Sequence, residues 1–126
     1  MKFTEDARGG IHLVRGYDDR GITIGEARFE RPVIVAGSTL VGDWTATVLA
    51  DLAPDDLAPV WALQPQVVLL GTGRSQRFPS AELRRAFAQR QVALEAMDLG
   101  AACRTYNVLV QEDRAVVALL FPETAA

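Results

Sequence analysis

The residues with the most capacity for chemistry fall in one stretch, Gly71-Thr72-Gly73-Arg74-Ser75-Gln76-Arg77-Phe78-Pro79. Two glycines allow a tight turn that presents backbone N–H groups. Arg74 and Arg77 offer planar forks that suit a carboxylate or a phosphate. A helix expected to start at Ser80 adds the partial positive charge of its N-terminus. Gly71, Thr72, Gly73, Arg74, Gln76, Arg77 and Phe78 are therefore read as a candidate ligand- or partner-binding loop, in outline an anion cradle. Its spacing matches no phosphate-binding fingerprint. No Gly-Lys-Ser/Thr follows, Gln76 stands where a dinucleotide loop has its third glycine, and the helix starts too late. The competing reading is a loop whose glycines only shape a turn and whose arginines are solvated or paired with surface carboxylates.

Elsewhere the chemistry-bearing residues are isolated. His12 is the only histidine, and no cysteine pair or carboxylate cluster at ligand spacing accompanies it, so no metal site is expected. Cys103 falls on the apolar side of its helix, the position of a structural thiol rather than a nucleophile. Asp18-Asp19 and Asp55-Asp56 are adjacent pairs whose side chains diverge, which suits a turn and a helix start better than an acid/base couple. Trp44 and Trp61 read as core or edge-packing residues. No catalytic residue and no cofactor is assigned.

The elements that would position these residues change character halfway along the chain. The first half is β-rich. Ile11–Arg15 and Gly21–Ile24 flank the turn-rich Gly16–Arg20, and Pro32–Ala36 and Thr39–Val41 flank Gly37-Ser38, giving two antiparallel hairpins. Trp44–Leu49 alternates in the manner of a half-buried strand. Pro54–Leu57 starts a helical turn that Pro59 is expected to interrupt. From Gln66 the rhythm becomes α/β. Val67–Leu70 is a continuous apolar run, as in a strand covered on both faces. Ser80 caps a helix with Leu83, Ala86 and Phe87 on its apolar side. Val92–Met97 is a second strand. Asp98 caps a second helix whose apolar side is Leu99, Ala102, Cys103, Tyr106, Leu109 and Val110. Ala115–Phe121 is a third strand, ended by Pro122. The expected fold is α/β: antiparallel hairpins joined to a C-terminal βαβαβ unit with a short parallel sheet, right-handed crossovers and flanking helices.

The 126 residues fit a single domain, with an ordered core from about residue 11 to 122 and disorder expected only over Met1–Gly10 and Glu123–Ala126. A hydrophobic content of 49% against 23% charged is that of a globular chain. One cysteine allows no internal disulfide and fits a reducing, cytoplasmic setting. There is no signal peptide pattern and no apolar run of membrane-spanning length. The net charge of −3 argues against a nucleic-acid binder, but it hides an asymmetry. Between Gly71 and Arg90, five arginines face only Glu82, whereas the remaining residues carry 8 basic and 15 acidic side chains. A basic island on an acidic protein is the clearest electrostatic feature.

VVLLGTGRSQRFP at Val67–Pro79 and MDLGAACRTYNVL at Met97–Leu109 resemble the two signature stretches of a family of small domains of unknown function. That family includes the mitochondrial NADH dehydrogenase complex I assembly factor 3 and an adipogenesis-associated protein, beside many bacterial and archaeal members. The resemblance runs from about Ile11 to Pro122. Leu99 departs from the threonine expected in relatives, which removes a polar group from that helix start. The resemblance implies a compact α/β domain without a known cofactor or established catalysis. It directs attention to Gly71, Thr72, Gly73, Arg74, Arg77 and Phe78, together with Gly100, Arg104, Thr105 and Asn107. Gly100, Arg104 and Asn107 share one helix face opposite the apolar stripe, read either as lying near the Gly71 loop or as an ordinary exposed face.

The function expected is that of a non-catalytic, assembly-factor-like interaction module that docks on protein partners, such as a multi-subunit complex. The rival is a binder of a small anion, a nucleotide or a carboxylate, or a cryptic enzyme, working at the Gly71–Pro79 loop.

Overall fold

A computed structural model describes residues 10–126; the disorder expected over Met1–Gly10 lies outside them, save Gly10. Strands β1 (Val14–Tyr17), β2 (Ile22–Ile24) and β3 (Ala27–Phe29) form an antiparallel three-stranded meander. The β1–β2 turn is held by Asp18, whose Oδ1 accepts from the Arg20 and Gly21 N–H groups at 2.9 Å each. Strands β4 (Val33–Ala36) and β5 (Thr39–Val41) make the second hairpin. The C-terminal half supplies β6 (Val67–Thr72), α2 (Ala81–Gln89), β7 (Ala93–Met97), α3 (Leu99–Gln111) and β8 (Val116–Phe121), following a single-turn helix α1 (Ala58–Trp61).

The large sheet runs β5-β4-β8-β6-β7. β6 pairs in parallel with both β7 and β8, and β8 also pairs antiparallel with β4, so the hairpin extends the parallel unit into one mixed sheet. β8 is central and buried along its whole length, which explains its unbroken Val-Val-Ala-Leu-Leu-Phe sequence. Alternation along the strands divides the core in two. Val33, Val35, Leu69, Ala118 and Leu120 face α3 and the three-stranded meander. Ile34, Val68, Leu70, Leu119 and Phe121 face α2, α1 and the segment around Trp44. The two longer helices therefore cover opposite faces, as in a doubly wound unit.

Three expectations are corrected. Trp44–Leu49 is not a strand. Trp44 and Ala46 are buried and Thr45 and Thr47 exposed, but the alternation stops at the exposed Val48 and no neighbouring strand pairs with the segment. Trp44 Nε1 instead donates to the Asp56 carbonyl at 2.8 Å and the Thr45 hydroxyl to Asp56 Oδ1 at 2.7 Å, and Leu49–Asp51 closes into a 3-10 turn. Pro59 does not interrupt the helical segment. It sits in the first turn of α1, directly after the 3-10 turn Pro54–Leu57, where its missing N–H has no helical acceptor to satisfy. Glu123–Ala126 is ordered: residues 123–125 form a 3-10 turn, Ala125 is buried, and Glu123 is ion-paired.

Candidate functional site

In the order β7-β6-β8 the chain leaves β6 toward one side and returns past it to β8, so the carboxyl ends of β6 and β8 flank a topological switch point, where open α/β sheets gather ligands. The loop after β6 and the turn after β8 meet there. Arg74 Nη2 donates to Glu123 Oε1 at 3.1 Å, with Arg74 82% exposed and Glu123 22%. A polar cleft of about 420 Å³ opens between them, lined by Asp19, Thr72, Ser75, Arg77 and Thr124 as well as the ion pair.

The loop is organised by one buried hydroxyl. Thr72 is 1% exposed, and its Oγ1 lies 2.6 Å from the Ser75 carbonyl and 3.1 Å from the Met97 carbonyl. The same oxygen accepts from the Arg77 N–H at 3.1 Å. Both glycines answer to packing. A methyl group at Gly71 would press on Ala102, Leu120 and Leu99, and Gly73 (φ +81°) lies against Ala126 in the left-handed region. The Gly73 carbonyl accepts from the Leu99 N–H at 2.7 Å, which ties the loop to the start of α3. Gln76 donates to the Ala96 carbonyl at 2.9 Å. Helix α2 begins as expected, with the Ser80 hydroxyl accepting from the Leu83 N–H at 3.1 Å.

Held this way, the loop presents Arg77 and Phe78. The Arg77 guanidinium has no carboxylate partner among the described residues. Phe78 is 82% exposed, the most exposed of the large apolar side chains described. It stands at the rim of a second cleft of about 280 Å³, lined by Leu49, Ala50, Leu52, Leu70, Pro79 and Leu83, and Arg77 lines this cleft too. Such a cleft was not legible beforehand, because Leu49–Leu52 and Leu83 are distant in sequence and meet only on the sheet face that they share.

The second group of residues is placed differently. Asn107 accepts from the Val14 N–H at 3.0 Å and donates to the Val14 carbonyl at 2.9 Å, a two-point clasp between α3 and β1. Gly100 is buried beneath the Tyr17 hydroxyl, and an Arg104 guanidinium nitrogen lies beside the same spot. Thr105 is half-buried. Arg104 lines neither cleft, so the structure brings Arg74 and Arg77 together and leaves Arg104 apart. Tyr106, read only as a core residue, proves to be a second clasp: its hydroxyl donates to the His12 carbonyl at 2.7 Å and accepts from the Gly37 N–H at 3.2 Å. Burial pushes the Tyr106 phenol up to about 12 and the Cys103 thiol likewise up to about 12, the latter against the opposing charge of Arg104. No cluster of three or more His, Cys, Asp or Glu side chains suited to a metal ion occurs among the described residues.

Comparison with known proteins places this geometry. Residues 14–121 match a family described as a protein of unknown function (DUF498/DUF598). The chain belongs to that family. It is 31% identical over 111 residues to the NADH dehydrogenase [ubiquinone] 1 alpha subcomplex assembly factor 3 of Rattus norvegicus, covering 86% of this chain and 60% of the relative. The chain thus spans about three-fifths of the length of that factor. A protein of Francisella tularensis called the 13 kDa major membrane protein is 29% identical over 101 residues, covering 79% of this chain and 80% of the relative. The NMR structure of a Xanthomonas campestris protein superposes with a TM-score of 0.84 at 34% identity, covering 100% of this chain and 96% of that one. Relatives of this chain thus include proteins named as NADH dehydrogenase assembly factors. No described helix is long and apolar enough to cross a membrane.

Proposed function

We propose that this domain is a non-catalytic interaction module that docks on a protein partner through the loop between β6 and α2. The observation that carries this reading is Phe78, 82% exposed beside an apolar cleft. Leaving a phenylalanine in water forgoes about 1.5–3 kcal/mol of burial free energy. A partner that covers it recovers that free energy, and aromatic anchors seated beside pockets dominate protein interfaces. The kinship with assembly factors supports the same reading, and extends it to a partner within a multi-subunit complex. We place the domain in the cytoplasm, on its single buried cysteine. The name of the Francisella relative leaves room for docking on a membrane-bound assembly, and cell fractionation decides between the two.

The test is affinity capture of tagged wild type and Phe78→Ser from native lysate, with mass spectrometry of what is retained. We expect at least one protein to be retained by wild type and lost by the variant. Identical retained sets would sink the proposal.

A second reading, a small-anion site in the polar cleft, is favoured by Arg74 and Arg77 both lining it. A thermal-shift screen at low salt with phosphate, nucleotides and small carboxylates tests it. A ligand at about 100 times its dissociation constant adds about 2.7 kcal/mol, which moves the midpoint by several degrees in a domain of this size. The shift must vanish in Arg74→Ala or Arg77→Ala for the cleft to be the site.

A further inference from the structure

The polar and apolar clefts meet at one residue. Arg77 lines both: on one side lie Arg74, Ser75 and Thr124, on the other Leu49, Leu83 and the exposed ring of Phe78. The polar cleft also holds Asp19 and Glu123, with Glu123 paired to Arg74, so the cation it shares with the apolar slot is Arg77. The stretch that carries this junction is basic in sequence, since Arg74, Arg77, Arg84, Arg85 and Arg90 face only Glu82 between residues 71 and 90; all five arginines are exposed, with Arg90 over the Trp61 ring at the far end of α2. The loop already shows what it accepts. A carboxylate of the chain itself, Glu123, occupies the fork of Arg74 at 3.1 Å across 49 residues of sequence, while the neighbouring Arg77 has no carboxylate partner among the described residues.

From this juxtaposition we infer that the docking partner presents an acidic, apolar segment, whose hydrophobic side chain enters the slot beside Phe78 while an adjacent carboxylate meets Arg77. The inference rests on the proposed docking role and adds the chemical class of the partner. An apolar side chain without charge leaves Arg77 with its cationic group partly desolvated and unpaired, which costs free energy. A carboxylate without an apolar neighbour leaves Phe78 exposed. A basic segment meets repulsion from Arg77. Only the combination satisfies both sides of the junction.

The probe is a set of short synthetic peptides with blocked ends. One carries leucine flanked by glutamates, the second has lysines in place of the glutamates, and the third has serine in place of leucine. Each is titrated into the ¹⁵N-labelled full chain to about 1 mM, a range that registers weak complexes by chemical shift. We expect the glutamate–leucine peptide to perturb amides near Ala50, Arg77, Phe78 and Leu83. Its affinity falls about tenfold in Arg77→Glu and about fivefold or more between roughly 0.05 and 0.5 M salt. Phe78→Ser, which alters an exposed side chain, also weakens it, whereas Arg114→Ala, before β8 at the opposite end of the sheet, leaves it unchanged. Equal binding of the lysine peptide overturns the inference, as does equal binding of the serine peptide, which would mark a simple anion site. Absence of perturbation by the glutamate–leucine peptide overturns it as well. So does concentration-dependent shifting of the same amides without peptide, which would assign the slot to a second copy of this chain. If Phe78-dependent capture persists while the peptides fail to discriminate, the docking role survives and the acidic partner class falls.

Discussion

Replacing Thr72 by valine tests whether one hydroxyl organises the loop. The substitution preserves shape and removes the oxygen that bridges the Ser75 and Met97 carbonyls to the Arg77 N–H. A single hydroxyl hydrogen donates mainly to the closer acceptor, Ser75, so the loss amounts to about two hydrogen bonds. Each has a net value near 1 kcal/mol, and the stranded Arg77 N–H adds part of the penalty for an unsatisfied donor, for a total of about 2–3 kcal/mol. In a domain of this length that corresponds to a fall of roughly 8–12 °C in midpoint. Urea and thermal unfolding followed by circular dichroism measure it directly. Thr72→Ser is the decisive control, because it keeps the oxygen and deletes only a methyl group, at a cost of about 1 kcal/mol. A valine variant within about 0.5 kcal/mol of wild type, or a serine variant less stable than the valine one, would refute the assignment. In the valine variant the amide resonances of residues 73–78 should also shift together, since the tie that aims Phe78 outward is gone.

Further outcomes follow from the same contacts. Asn107→Leu removes both bonds to Val14 and should cost about 2–3 kcal/mol, read by urea unfolding; a loss under about 1 kcal/mol means the clasp is dispensable. Gly73→Ala places a side chain at a left-handed φ against Ala126 and should destabilise by about 1 kcal/mol or more, whereas Gly100→Ala meets only the far ends of the exposed Tyr17 and Arg104 side chains and should cost less; paired melts decide the order. The Tyr106 phenol is raised from 10.0 to about 12 in the folded state, chiefly by burial. Its stabilising contribution is complete below the unfolded value and is lost as pH climbs through that window, so wild type should lose more stability than Tyr106→Phe there. The Cys103 thiol, buried and raised to about 12, should resist alkylation near pH 8 in the native protein and react once it is unfolded in urea; rapid native labelling would contradict its burial.

Local signals were legible where the physics is local. Ser80 and Asp98 cap their helices as their side-chain chemistry requires, Asp98 accepting from the Ala101 N–H at 2.9 Å. The glycine turn of the β4–β5 hairpin and the apolar runs of β6 and β8 read directly from residue type. The short β3 went unread, since Ala27–Phe29 is mostly exposed and shows no alternation of its own. Trp44–Leu49 misled for the reverse reason: a period of two reports one buried face, while a strand also needs a neighbour to complete its hydrogen bonds.

For the candidate site, residue types marked the Gly71–Pro79 loop and its basic character, because glycine freedom and arginine charge belong to the residues themselves. The tertiary structure decided how the loop is used. Placing β8 beside β6 brings Glu123 onto Arg74, and packing α2 against the Leu49–Leu52 segment creates the slot next to Phe78. It also turned Asn107 and Tyr106 into clasps across more than sixty residues of sequence. Side-chain pairing at such separations depends on the order of strands in a sheet. That order comes from the global burial of apolar faces, which no local window of sequence records.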